Sequence, residues 1–204
     1  MAELKNINAL IVAAGASSRC KGYKPLYRWK NKSLIEHIVR KLANVAEQLI
    51  VVTGHNAELL ESTLTAACSY DVLSKITFVH NAAHRKGMFS SLQAGCSALT
   101  GDSWVLYHFV DQPALPEQFF TEFIEQIDES SDWIQPVFSG KKGHPILLSP
   151  KTQKYIGYAS HLSTLKDVGE NRQIVKKLWD CPYPEILQDI DTDEDWAEFL
   201  HFNE

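Results

Sequence analysis

The stretch Asn8-Ala9-Leu10-Ile11-Val12-Ala13-Ala14-Gly15-Ala16-Ser17-Ser18-Arg19-Cys20-Lys21-Gly22-Tyr23-Lys24-Pro25 changes character at Gly15. Before it, Asn8 to Ala14 is a short apolar run, the pattern of a central parallel strand covered on both faces. After it, glycine, serine, lysine and arginine recur without periodicity as far as Trp29, which reads as a long loop. Ligands of open α/β sheets lie beyond the carboxyl ends of the strands, so this loop is the first place to look for chemistry.

Outward from that point, strands and helices alternate. Ser33-Leu34-Ile35-Glu36 reads as a capping box opening a helix whose apolar face is Leu34, Ile35, Ile38, Val39 and Leu42. Gln48–Thr53 predicts a second strand, Asn56 a cap for a helix through Ala67, Lys75–Val79 a third strand, and Ser90–Leu99 a helix. Trp104–Val110 predicts a fourth strand running into Asp111-Gln112-Pro113, and Leu115–Ile127 an amphipathic helix with Pro116 at its start. Trp133–Phe138 and His144–Leu148 read as strands around the turn Gly140-Lys141-Lys142-Gly143. Short helices are expected from Ser149-Pro150 and over Asn171–Leu178, with a last one capped by Thr192 through Leu200. The alternation predicts a three-layer αβα fold, Rossmann-like and doubly wound around a mostly parallel sheet, as one domain over residues 1–204.

Composition narrows the function. The 204 residues carry a formal net charge of -5, against the basic face with which general nucleic-acid binders displace counterions. No apolar stretch approaches the roughly 20 residues of a membrane span. Met1-Ala2-Glu3-Leu4-Lys5 lacks the apolar core of a signal peptide. The expectation is a cytoplasmic protein with neither nucleic acid nor membrane as partner. Cys20, Cys68, Cys96 and Cys181 are scattered without a CxxC pair, so free thiols are expected rather than a zinc site or a redox dithiol.

The first loop is not a Walker loop, because no GK[ST] closes it, and it lacks the GxGxxG dinucleotide fingerprint. It still holds what a triphosphate needs: a glycine that lets backbone N–H groups approach oxygen closely, small hydroxyl neighbours such as Ser17, and the cations Arg19, Lys21 and Lys24. A solvated basic loop has the same composition, and the residues alone leave both readings open.

Further segments carry a resemblance. Leu10 through Arg19 followed by Lys24-Pro25-Leu26, then Val51-Val52-Thr53-Gly54-His55-Asn56-Ala57-Glu58, then Asn81 through Gly87-Met88-Phe89-Ser90-Ser91-Leu92 and Gly95, form an ordered series. Val110-Asp111-Gln112-Pro113, Gly143-His144-Pro145 and Asp189-Ile190-Asp191-Thr192-Asp193-Glu194-Asp195 continue it. Together they resemble the molybdenum-cofactor nucleotidyltransferases, the MobA-like NTP transferases, with their LAAGxSxRMGxxK, GMxSSL, VDQP, GHP and DxDTPED elements. The set is most similar to the CTP-using branch, which makes molybdopterin cytosine dinucleotide. The resemblance implies a fold of the nucleotide-diphospho-sugar transferase type and transfer of CMP from CTP to a phosphorylated acceptor of the molybdopterin class. It further implies release of pyrophosphate, a Mg2+ cofactor and transient contact with a molybdoenzyme. Two departures stand out: Arg19-Cys20-Lys21 replaces Arg-Met-Gly, with a glycine one place later at Gly22, and Asp193 replaces the proline of DTPED.

Such a reaction sets one anion against another. An acceptor phosphate is already ionised near neutral pH, so the demand is charge neutralisation and in-line alignment rather than a general base. The resemblance assigns Asp111 and Asp191 to the metal, Lys24 and Arg19 to the phosphates as catalytic cations beside Asp111, and Ala13, Ala14, Gly15 and Ser17 to nucleotide contacts. Ser90 and Ser91 are expected to hydrogen-bond the nucleotide and His144 to touch the acceptor. Each has an ordinary alternative: Asp111 as a turn residue before Pro113, Asp191 and the serines as helix caps, the cations as solvated charges. Competing functions are a guanylyl- or sugar-1-phosphate nucleotidyltransferase of the same superfold and an inactive nucleotide-binding accessory of molybdoenzyme maturation.

Overall fold

In the computed structural model, which describes residues 7–203, the first strand, β1 (Ile7–Val12), is buried along its whole length. Its side chains alternate between faces: Ile7, Ala9 and Ile11 enter one core, Leu10 and Val12 the other. The loop that follows is less open than expected. It contains a tight 3-10 turn at Lys24–Leu26, then an antiparallel hairpin of β2 (Arg28–Trp29) and β3 (Lys32–Ser33). Lys30 and Asn31 make its bend at positive φ, 44° and 63°.

The chain continues through α1 (Leu34–Ala43), β4 (Leu49–Thr53), α2 (Ala57–Ala67), α3 (Tyr70–Leu73), β5 (Ile76–His80), α4 (Met88–Ala98), β6 (Trp104–Phe109) and α5 (Glu117–Glu125). After these come β7 (Trp133–Phe138), β8 (Lys141–Lys142), β9 (Ile146–Leu148), α6 (Pro150–Tyr158), α7 (Leu165–Glu170), β10 (Lys176–Asp180) and α8 (Asp193–Asn203). The eight-stranded sheet has the order β10-β7-β9-β6-β1-β4-β5, with β8 attached to β7. Pairing is parallel across β6-β1-β4-β5 and between β10 and β7. β9 runs antiparallel to both its neighbours. Residues of α1, α2 and α5 join the core on one face and those of α4, α6 and α7 the core on the other, giving the αβα layering.

Several local expectations change. Asn171–Leu178 is not a helix: α7 ends at Glu170 and Lys176–Asp180 forms an edge strand beside β7. Its lysines carry little strand preference, so pairing decides the conformation, helped by Trp179 stacking on Phe123 at 5.4 Å. Asn56 precedes α2 in the left-handed region (φ 52°) and its side chain makes no capping bond. Ser33 does cap α1, its Oγ accepting from the Glu36 amide at 3.3 Å. The Glu36 carboxylate turns instead to Arg40 Nε, 3.0 Å away, so half of the box forms. Lys141 and Lys142 pair with β7 rather than forming the turn, and His144 precedes β9 without joining it. All four cysteines are free. Met1–Lys5 lies outside the described residues, within which no helix is long and apolar enough to cross a membrane.

The last helix is held against the first loop. Leu34, Ile190 and Phe199 form a small separate core, with Tyr27, Trp29 and Trp196 packed on it. Thr192 caps α8, its Oγ1 accepting from the Asp195 amide at 3.1 Å. The Asp195 carboxylate in turn accepts from the amides of Asp191 (2.9 Å) and Thr192 (2.8 Å).

Candidate active site

β1 and β6 are adjacent and parallel, so the loop after Ala14 and the turn at Asp111 leave the same edge of the sheet side by side. Between them opens a cavity of about 340 Å³ whose lining includes Ala13, Gly15, Ser17, Arg19, Lys24, Ser91, Asp111 and Asp191. At Gly15 an added Cβ would meet nothing within 4 Å, so the backbone there lies bare to the cavity. Ser17 sits at φ 53° and its hydroxyl accepts from the Lys24 amide at 3.0 Å, which folds the loop back on itself. Tyr23 donates its hydroxyl to Ala13 O at 2.9 Å, fastening the loop to the strand end.

Charge concentrates at the mouth. Lys24 is buried, and its Nζ lies 3.5 Å from Asp111 Oδ2 and 3.3 Å from Asp191 Oδ1. Arg19 Nη2 reaches the same Asp191 oxygen at 2.9 Å. Burial pushes the Asp111 carboxyl up to about 6; the Lys24 ammonium opposes that rise, and Asp189 and Asp191 add to it. The other oxygen, Asp111 Oδ1, is buried without a hydrogen-bond partner. An unpartnered hard oxygen beside a second carboxylate is a donor set that fits magnesium, which takes one or two protein carboxylates and completes its shell with phosphate oxygens and water. Among the described residues, no three or more His, Cys, Asp or Glu side chains are arranged so that together they could hold a metal ion.

The Asp111 turn is braced from two sides. Ile190 N donates to Asp111 O at 3.0 Å. Gln112, fully buried, donates Nε2 to Ile186 O (2.9 Å) and Asp189 Oδ1 (2.7 Å). Lys41, from α1, donates to the carbonyls of Pro113 and Leu115, both at 2.7 Å, and burial pushes its ammonium down to about 8.

Residues 9–180 match the MobA-like NTP transferase domain. The chain belongs to the MobA-like NTP transferase family. Among curated proteins it is similar to a molybdenum cofactor cytidylyltransferase of Escherichia coli K12, 25% identical over 193 residues, covering 93% of each chain. A probable molybdenum cofactor guanylyltransferase of Bacillus cereus AH187 is 24% identical, over 95% of this chain and 90% of that one. In fold, a nucleotidyl transferase from Methanothermobacter superimposes with a TM-score of 0.79 at 20% identity, covering 97% of both chains.

Not every residue singled out in this transferase reaches the cavity. Ala14 is buried in the core and its carbonyl accepts from His55 N at 3.1 Å. Ser90 spends its hydroxyl on Gly87 O (2.8 Å) and accepts from Asn81 Nδ2 (3.0 Å), tying the 81–87 loop together, whereas Ser91 does line the cavity. His144 stands behind Phe109, their rings edge-to-face at 4.6 Å. Burial pushes the His144 imidazole down to about 4, so it is neutral, and Phe109 rather than His144 lines the cavity. His84 and Met88 also line it. Their neighbour Gly87 carried a signal, since its φ of 104° demands glycine; His84 carried none. Lys41 and Tyr23 were equally silent, and Gln112 stood in the VDQP element without its bracing role being legible, because each acts through contacts outside its own segment.

Proposed function

We propose that this transferase moves CMP from CTP to a phosphorylated acceptor of the molybdopterin type with Mg2+ as cofactor, releasing pyrophosphate. The observation that carries the reading is the convergence of Lys24, Arg19, Asp111 and Asp191 on one cavity mouth at the carboxyl ends of β1 and β6. Two cations and two carboxylates there match the needs of phosphoryl transfer: counter-charge for the phosphates and oxygen donors for a divalent ion. An acceptor phosphate oxygen attacks the α-phosphorus; the new P–O bond forms as the bond to the bridging oxygen of pyrophosphate breaks, and pyrophosphate carries away the electron pair. Lys24 serves as a positioned point charge on the reacting phosphoryl, an interaction stronger in the transition state than in the ground state. Arg19, more exposed, suits the outer phosphates. The bare backbone at Gly15 lets the nucleotide approach the strand end closely. Asp111 and Asp191 would hold magnesium, which when bound neutralises phosphate oxygens and templates the in-line geometry.

The choice of CTP rests on the Gly87-Met88-Phe89-Ser90-Ser91 segment and its similarity to the CTP-using branch. Incubation with each labelled NTP, magnesium and a molybdopterin-type acceptor tests the reading through pyrophosphate release. Release with CTP supports it, release with GTP alone replaces cytidylyl by guanylyl transfer, and no release with any NTP overturns it.

A further inference from the structure

The two departures from the family pattern meet in space. Lys21 stands where the family has glycine, and Asp193 where it has proline. The Asp193 carboxylate accepts from the Lys21 amide at 3.2 and 3.1 Å and from the Tyr27 hydroxyl at 2.8 Å. Tyr27 Oη in turn accepts from the Gly22 amide at 3.1 Å. A Cβ at position 22 would come within 2.7 Å of Tyr27 Cε1, so the displaced glycine is what admits the ring. Tyr27 is itself held by Trp196 of α8, ring centroids 5.2 Å apart. One residue before Lys21, Cys20 Sγ donates to Asp191 O at 3.4 Å.

We infer that Asp193 is a positioning residue, a latch from α8 that holds the Cys20-Lys21-Gly22 bend so that Arg19 and Lys24 stand preset for the nucleotide phosphates. Without it the Lys21 amide loses its protein acceptor and Tyr27, which accepts from the Gly22 amide, loses its own, and the bend, which has no helix or strand of its own, regains conformational freedom that binding must then remove. The inference rests on the proposed nucleotidyl transfer for its effect on catalysis, but the latch itself is a set of contacts within the chain that needs no nucleotide.

The test uses full-length Asp193→Ala, Asp193→Asn, Asp193→Pro and Tyr27→Phe. Backbone amide exchange at Lys21 and Gly22 is read without nucleotide, and kcat and KM for CTP are read with magnesium and acceptor. Asp193→Ala is expected to speed exchange at Lys21 by roughly tenfold and raise KM by roughly threefold or more, with kcat within about twofold of wild type, as loss of one charge-assisted acceptor predicts. Asp193→Asn retains an acceptor oxygen and should recover part of both effects. Asp193→Pro, tolerated in a first helical turn, keeps α8 while removing the carboxylate and should behave as Asp193→Ala, separating the latch from helix capping. Tyr27→Phe should speed exchange at Gly22 and add less than its own effect on top of Asp193→Ala. Unchanged Lys21 exchange in Asp193→Pro overturns the inference, as does a fall in kcat at unchanged KM. If wild type turns over no NTP, the reaction reading falls and the nucleotide-free exchange still decides the latch.

Discussion

Lys24 Nζ and Asp111 Oδ2 face each other across 3.5 Å, with side chains only 11% and 21% exposed. Arg19 and Asp191, by contrast, are 66% and 38% exposed, in the range where an ion pair contributes about 0–1 kcal/mol. The sheltered ammonium lies within ion-pair distance of both Asp111 and Asp191 and partly offsets the charge of each. In the proposed reaction, triphosphate binding would draw that charge onto the nucleotide and free both carboxylates for the divalent ion.

Lys24→Ala is therefore expected to damage catalysis far more than Lys21→Ala. Lys24 is buried between the carboxylates, whereas the Lys21 side chain is exposed and only its backbone amide is engaged. We expect Lys24→Ala to lower kcat/KM by about 100-fold, equivalent to ~2.7 kcal/mol of barrier, and Lys21→Ala to change affinity modestly and chiefly at low salt. Steady-state kinetics with circular dichroism to confirm folding provides the comparison. Greater damage from Lys21→Ala would remove Lys24 from the reacting phosphoryl.

Asp111→Asn should nearly abolish turnover while leaving the fold intact. Burial already disfavours its charge, so a neutral isostere costs little stability, but the loss of a metal carboxylate should lower kcat by about 1,000-fold, ~4 kcal/mol. Asp191→Asn is expected to be milder, being the more exposed of the two. Thermal melts and turnover measured on the same preparations test this, and wild-type rates in folded Asp111→Asn would sink the metal assignment.

Gln112→Glu should loosen the Asp111 turn. It would set a second carboxylate against Asp189, now 2.7 Å from Gln112 Nε2, and replace a donor aimed at Ile186 O with an acceptor. A loss of roughly 1–3 kcal/mol is expected from a buried acceptor left without its donor. Denaturant titration measures it, and unchanged stability would show that the turn is held elsewhere.

CTP should bind more tightly than GTP in calorimetric titration with magnesium. Equal or tighter GTP binding would remove the cytidylyl assignment and leave nucleotidyl transfer standing.

Stability should fall in mild acid through His108. This ring is fully buried in β6, and burial holds its imidazole down at about 3 against an ordinary value near 6.5. Between those values the unfolded chain takes up a proton that the folded chain refuses, so the contribution is complete above about 6.5 and declines by about 1.4 kcal/mol per pH unit below it. Urea unfolding of wild type and His108→Gln at pH 7 and 5 tests the slope. Parallel pH dependences in the two proteins would contradict it.

What the sequence determined by itself was the parallel half of the sheet and the inventory of charges. Asn8–Ala14, Gln48–Thr53 and Trp104–Val110 are apolar enough to be buried on both faces, and burial of that kind admits few alternatives to a central parallel strand. The edge strand Lys176–Asp180 escaped the same reading because its residues alternate between exposed and half-buried, and only pairing with β7 distinguishes it from a helix. The site divides in the same way. The strand-end rule pointed to the loops that hold Arg19, Lys24 and Asp111, and the family resemblance singled out the residues themselves. Their geometry was not: Arg19 meets Asp191 across 172 positions and Lys24 meets it across 167. Gln112, Lys41 and Asp193 act only through such distant partners, and His144 is set behind Phe109 by the packing of β9 against β6. Periodicity and propensity report on neighbours within a few residues. Contacts between segments far apart in the chain exist only once the layers have packed, and it is those contacts that turn a list of charged residues into a site.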